Sequence, residues 1–484
     1  MTIKEIWKEI DGYDGLYDID RFIERIRKYI PIGEIEKKSF GEVFTPFELI
    51  NKILDTLPVD VWNNPNLKWG DFCNGVGNFM VIIIKRLMKG LETWEPDENK
   101  RYKHIIENMI YVAEFQIKNM FVWMVSVDPK NEYKLNLFRG STLSDDFKNH
   151  MKNVWKISKF DILVGNPPYH IKKEGFDKTQ PLWHLFVEKY ISLLNDCGYT
   201  CIVHPSGWRN VAGVFKKTQN LLKSKEILYL KLNNFKSGQD VFNAAIAFDY
   251  YCLRNKENKN FSSKVIFEDN KEFDVDLSKL EFIPNESFDE VIKLIAKDGE
   301  EKVEIINNSA YHHQHSHMNK QISQEFKYPC VYGVKSPDKG NIPSLYYSNC
   351  NNKGHFNLPK VIFASGASGV FVDSEGDYGL TEFASAIVDK PENLENIKKA
   401  LQTERFIRNI MGFKNSLGDK YNRKIISTFR KDFWKDFLNV DIILDKFQKG
   451  EYKIGTNKNY TKPKKSDIKT NELSLHASKN KKDK

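Results

Sequence analysis

No apolar run in this 484-residue chain approaches the roughly 18–20 residues that a membrane-spanning helix needs. The opening Met1-Thr2-Ile3-Lys4-Glu5 lacks the apolar stretch of a secretory signal, so an intracellular, cytoplasmic protein with no membrane partner is expected. Six cysteines are present (Cys73, Cys197, Cys201, Cys252, Cys330, Cys350), yet none form a C-x-x-C pair. In a reducing compartment they read as buried thiols. There is no internal repeat. An excess of positive charge is also missing from most of the chain. Of the net +9, residues 458–484 supply +6 through nine lysines and three acids. Global charge is therefore a weak pointer to nucleic acid, because a basic tail is often only a solubilising end.

What is present divides into four stretches: a charged lead-in (1–36), an alternating region (37–256), a mixed region with glycine-rich turns (257–455) and a basic tail (456–484) expected to be disordered. Within 37–256, strand patterns at 67–72, 109–115, 161–166, 200–204 and 227–232 precede a later strand pair at 244–253. Helical spacing falls between them, at 79–89, 116–127, 181–194 and 214–223. Such alternation predicts an α/β fold with a parallel sheet, whose ligands bind beyond the carboxyl ends of the strands.

Three motifs lie where that rule places them. The first, Asp71-Phe72-Cys73-Asn74-Gly75-Val76-Gly77-Asn78-Phe79, follows a strand and opens a helix. Its glycines permit a tight turn and close approach of backbone to ligand, although a plain strand-to-helix turn would use them too. The second is Glu114, which could accept both hydroxyls of a ribose or simply complement a helix start. The third is Asn166-Pro167-Pro168-Tyr169. Its prolines restrict the backbone, so the Asn166 side chain and the Pro167 carbonyl are held as two rigid acceptors. Two such acceptors can bind both hydrogens of an exocyclic amine and draw its lone pair towards an electrophile, while Tyr169 can stack on a base.

On these motifs the chain resembles adenine-specific (N6) DNA methyltransferases of restriction–modification type, in the gamma motif order. Asn166-Pro167-Pro168-Tyr169 matches their catalytic signature. The resemblance implies a Rossmann-like methyltransferase domain over about 37–256, followed by a mixed α/β target-recognition domain over 257–455. It implies S-adenosylmethionine as cofactor, held by Asp71, Asn74, Gly75, Gly77, Asn78, Phe79 and Glu114, and by an N-terminal box at Phe44-Thr45-Pro46. Thr45, Pro46 and Glu48 also fit the start of a helix over 47–57 as N-cap, first residue and capping-box acid. Where the family usually carries an aspartate for the cofactor's adenine amine, this chain has Ser141, with Asp145 and Asp146 as substitutes. Phe242 matches the second aromatic that faces a flipped base.

Double-stranded DNA is the implied partner, with a separate restriction endonuclease beside it, and the chain is expected to act as a monomer. Base flipping follows, because the amine is unreachable inside the stacked duplex. Two rivals stand beside this reading: a methyltransferase for RNA or protein glutamine, and a DNA-binding specificity protein with a decayed catalytic domain, the latter motivated by Ser141. The segment Glu5–Tyr17 is similar to a small module found beside homing endonucleases. In the C-terminal region Lys335, Lys360, Arg405, Arg408, Lys414, Arg423 and Lys424 are candidate DNA contacts, and the turn 365–369 is a candidate phosphate loop. His312, His313, His315 and His317 share their stretch with no cysteine or acid, so no metal is expected.

Overall fold

A computed structural model describes residues 45–171, 179–210, 213–364, 369–411 and 421–438, with the side chains of 408–411 outside that description. The lead-in with its Glu5–Tyr17 segment, Phe44, residues 365–368, the Arg408 side chain, Lys414 and the basic tail therefore lie outside the described residues. The chain divides into two compact units, one ending at Phe288 and one beginning at Asp289.

The first unit is a Rossmann-like α/β layer. Helix α1 (Phe47–Leu54) leads into β1 (Trp69–Asp71), α2 (Asn78–Gly90), β2 (Ile110–Glu114), α3 (Ile117–Val127), β3 (Asn136–Arg139) and β4 (Phe160–Gly165). There follow α4 (Trp183–Leu193), β5 (Leu194–Pro205), α5 (Lys216–Lys223), β6 (Lys225–Asn233), α6 (Phe235–Phe242), β7 (Phe248–Glu257), β8 (Ser263–Ile266) and β9 (Glu272–Val275). Across the sheet the order is β9-β8-β6-β7-β5-β4-β1-β2-β3. Strands β3, β2, β1, β4 and β5 run parallel, whereas β7 inserts antiparallel between β5 and β6.

The core explains this arrangement. Strand β4 reads Phe-Asp-Ile-Leu-Val-Gly and is almost wholly buried, as a central parallel strand covered on both faces requires. Helix α2 carries Met80, Val81, Ile83, Ile84 and Leu87 at 0% exposure, so apolar residues pack on nearly every side of it. The chain order reverses between β1 and β4, the switch point at which doubly wound sheets bind ligands. Most of the expected strands and helices of this region are found to within a few residues, but the late strand pair expected over 244–253 is the single strand β7, and β5 starts at Leu194, six residues before the expected strand. The sheet continues past residue 256 through β8 and β9, because Lys264–Ile266 pair in parallel with Tyr229–Lys231.

The second unit holds two four-stranded sheets. One has the order β10-β17-β14-β15 (Glu304–Ile306, Ala384–Val388, Lys360–Ala364, Val370–Asp373). The other has the order β11-β13-β12-β16 (Met318–Asn319, Pro343–Ser348, Tyr328–Val334, Gly379–Leu380). Helix α7 (Pro391–Gln402) begins on a proline, which suits a first turn whose N–H has no helical acceptor. Val331, Val334, Ile362, Leu380, Ala384 and Ala386 form a common core. Lys360, a candidate DNA contact by sequence, is fully buried at the start of β14, where its Nζ pairs with Asp373 and donates to Leu358 O at 3.1 Å. It staples this fold and is unavailable to a phosphate. Arg405 is engaged with Glu290 Oε2 at 3.0 Å, while Lys335 and Lys424 are exposed.

Candidate functional site at the switch point

A cavity of about 300 Å³ opens at the carboxyl ends of β1 and β4. Thr45, Asp71, Asn74, Gly75, Asn78, Phe79, Glu114, Ser141, Asn166, Pro167 and Pro168 all line it. Residues more than 120 positions apart thus converge because Asp71 and Val164 are register partners in neighbouring parallel strands.

The loop after β1 is wired to the end of β2. Gly75 N donates to Glu114 Oε2 at 2.7 Å, and Gln116 N donates to Glu114 Oε1 at 2.8 Å. Asn74 N donates to Ala113 O at 3.2 Å. Glu114 thus orders the start of α3 and also lines the cavity. Gly77 adopts φ 97°, and a Cβ there would meet the Trp123 ring at 2.2 Å, so no other residue fits. Gly165, just before Asn166, is equally confined, since a Cβ would stand 2.9 Å from Cys73 Sγ and 3.0 Å from Asp71 Oδ1.

Asp71 is buried and accepts from Cys73 N at 3.0 Å. Burial pushes its carboxyl up to about 7; the Cys73 and Tyr190 hydrogen bonds hold it back and the Glu114 charge adds to the rise. Cys73 Sγ lies 3.2 Å from the Tyr190 hydroxyl, and burial drives that thiol well above its ordinary range. The side-chain amide of Asn74, 5% exposed, has no hydrogen-bond partner on either atom among the described residues, nor does Asn78 Oδ1. Buried polar groups are ordinarily paired, so these atoms mark where a polar ligand belongs.

Thr45 does not cap α1. The cap position is Pro46, with no side-chain bond, and Glu48 pairs with Lys52 at 2.7 Å instead of closing a capping box. Thr45 is drawn inwards: its Oγ1 accepts from Asn166 Nδ2 at 3.1 Å and its carbonyl accepts from Asn78 Nδ2 at 2.9 Å. One residue thereby joins the glycine loop to the Asn-Pro-Pro-Tyr segment.

The two aromatics stand apart from this wall. Tyr169 is 4% exposed and absent from the cavity lining; burial raises its hydroxyl well above the usual range, and Asn166 interacts with it. Phe242 ends α6 and packs edge-on against Phe248 at 4.9 Å, within the core. Ser141 is exposed at the rim, its Oγ accepting from Leu143 N at 3.3 Å. Asp145 and Asp146 begin a helical turn after Ser144 and do not line the cavity, so Ser141 has no acidic substitute there.

Sequence reasoning overlooked Phe115, which is 62% exposed yet lines the cavity beside Glu114. An aromatic immediately after a strand-end acid was the available signal. It also overlooked a buried polar group that includes Asp249, whose charge acts on the Tyr169 hydroxyl. There Arg209 pairs with Asp249 Oδ2 at 3.3 Å and Glu268 Oε1 at 3.0 Å, and Trp208 Nε1 donates to Asp249 at 2.8 Å.

Residues 78–242 match the family model described as Eco57I restriction-modification methylase. The matched stretch contains Asn166–Tyr169, Glu114 and Ser141. An uncharacterized adenine-specific methylase of Mycoplasma pneumoniae is 25% identical over 277 residues, 43% of this chain and 65% of that protein. The chain thus spans just under two thirds of that relative's length. Among solved structures, the methyltransferase subunit of a type I restriction-modification system from Streptococcus thermophilus aligns at 16% identity and TM-score 0.36, over 56% of this chain and 57% of that one. The type IIL restriction-modification enzyme MmeI in complex with DNA aligns at 11% identity and TM-score 0.49, over 91% and 76%. The resemblance to adenine-specific restriction–modification methylases therefore holds, and the first unit has the Rossmann-like α/β fold of methyltransferases.

Proposed function

We propose that the chain is a site-specific DNA methyltransferase that uses S-adenosylmethionine to methylate N6 of an adenine flipped out of double-stranded DNA. The observation that carries this reading is the convergence of Asn166, Pro167 and Pro168 with Asp71, Asn74 and Glu114 on one cavity. The donor set suits the cofactor. Among the described residues the Asn74 amide and Asn78 Oδ1 are buried and unmatched, Glu114 can share ribose hydroxyls, Asp71 offers a carboxylate to a cationic amino group, and Phe115 offers an apolar face. Ser141 Oγ takes the neutral acceptor role at the adenine end. When bound, S-adenosylmethionine supplies the electrophilic methyl group.

The protein's part is positioning. Thr45 Oγ1 takes a hydrogen from Asn166 Nδ2, which sets the amide so that its oxygen is the acceptor for the target amine. The Pro167 carbonyl is the second acceptor. Together they pull the nitrogen lone pair out of conjugation, and no base is needed before transfer because the proton becomes acidic only once nitrogen is alkylated. The unit from Asp289 onward then serves target recognition, and any restriction endonuclease is a separate chain.

Incubation of the protein with methyl-labelled cofactor and equal masses of DNA, ribosomal RNA and total protein tests this directly. Label in N6-methyladenine of DNA is expected. Label confined to RNA or protein would overturn the substrate, and calorimetry showing no cofactor binding would favour a specificity protein whose catalytic domain has decayed around Ser141.

A further inference from the structure

The second unit brings an acid to the histidine stretch that the sequence kept separate from one. Glu382, at the turn before β17, reaches His312 and His313, and the ligand atoms of all three lie within 4.8 Å of one another. His313 Nδ1 is hydrogen-bonded to Glu382 Oε1, and His312 Nε2 stands 3.8 Å from the same oxygen. The two imidazoles are stacked at 5.1 Å, and the His315 ring lies 5.4 Å from that of His312. A structural hydrogen bond would need one imidazole; here two converge on one carboxylate oxygen.

We propose that His312, His313 and Glu382 form a binding site for a borderline divalent cation of the zinc type, with His315 or water completing four ligands. Two imidazole nitrogens and a carboxylate oxygen are the donors that such ions favour over calcium or magnesium, which prefer all-oxygen sites. Donors about 2.1 Å from one ion stand roughly 3.4 Å from each other, so the observed spread closes with small side-chain rotations. The surroundings support the ligands. Glu382 Oε2 accepts from His313 N at 3.1 Å, which fixes the carboxylate, and the rings of Tyr332, Tyr346 and Phe383 lie within 5.6–5.9 Å of His313 on its other sides. His312 Nδ1 accepts from Gln314 N at 3.2 Å, so Nε2 carries the proton without metal. Loading moves that proton to Nδ1 and exchanges the Gln314 contact. The ion would tie the 309–318 turn to the entry of β17 within this unit. Methyl transfer does not enter into this site.

Untagged full-length protein, stripped with chelator, is titrated with zinc against a competing indicator. One equivalent should bind, and His313→Asn, which keeps a hydrogen-bond donor towards Glu382, and Glu382→Gln should each weaken binding at least about tenfold. X-ray absorption of the zinc-loaded wild type provides a readout that needs no variant: nitrogen and oxygen neighbours with imidazole scattering are expected. Absence of binding at micromolar zinc, a sulfur shell, or affinity unchanged in both variants would overturn the proposal.

Discussion

At the switch point of the first unit, the carboxyl ends of β1 and β4 carry their side chains in contrasting states. The β1 side is assembled: Glu114 already holds two backbone N–H groups, Asn74 and Asn78 present atoms unmatched among the described residues, and Asp71 is buried with a raised pKa. On the β4 side Asn166, the two prolines, His170 and Ile171 line the cavity, while Tyr169 is 4% exposed and Phe242 belongs to the core. A ligand on the β1 side therefore meets a prepared surface, whereas a base would reach the Tyr169 ring only after local rearrangement. Cofactor binding and base capture should accordingly respond to different substitutions.

The largest effect separates the two sides outright. Asn166→Ala should lower methyl transfer by about 10²–10³-fold or more, as loss of a preorganised charge-stabilising contact does. Its cofactor dissociation constant by calorimetry should stay within about twofold. An equal loss in both would erase the distinction. Next comes Phe242→Ala, which should lower unfolding free energy by roughly 3 kcal/mol, because a ring packed on Phe248 leaves a cavity. A denaturation midpoint unchanged in this variant, with transfer reduced, would instead place the ring in the target half.

The raised pKa of Asp71 yields a third prediction. If the carboxylate receives the cofactor's amino group, affinity should be about tenfold weaker at pH 6 than at pH 8, with a midpoint near 7, and Asp71→Asn should flatten the profile. The sign for stability is opposite. A buried acid whose folded pKa lies above its unfolded value favours the fold at low pH and loses that contribution as pH climbs through about 7. Cofactor-free protein should show this loss in thermal scans. The smallest effect is expected of Ser141→Asp, which should tighten cofactor binding about 3- to 10-fold by replacing a neutral acceptor with a charged one. Weaker binding would mean that the rim at Ser141 is closed to the adenine end.

Much of this was legible because it is local. The βα alternation, the glycine loop, Glu114 and the Asn-Pro-Pro-Tyr segment are each written in fewer than ten consecutive residues, and strand-end rules place them together. What escaped depends on contacts across long separations or on which way a side chain points. Thr45 reads as a helix cap, yet its hydroxyl serves Asn166, 121 residues away. Lys360 reads as a free cation and is buried against Asp373 by the β14–β15 pairing. The acid beside the histidines is 69 residues downstream. Arg209, Asp249 and Glu268 are joined across 40 to 59 residues and carry no motif.

Methylation-aware sequencing of DNA from cells expressing the chain tests whether the Asn166 and Pro167 acceptors act on adenine in DNA. N6-methyladenine at one defined sequence motif, absent in cells expressing Asn166→Ala, is the predicted result. Unmodified DNA from cells that contain folded, cofactor-binding protein would contradict it.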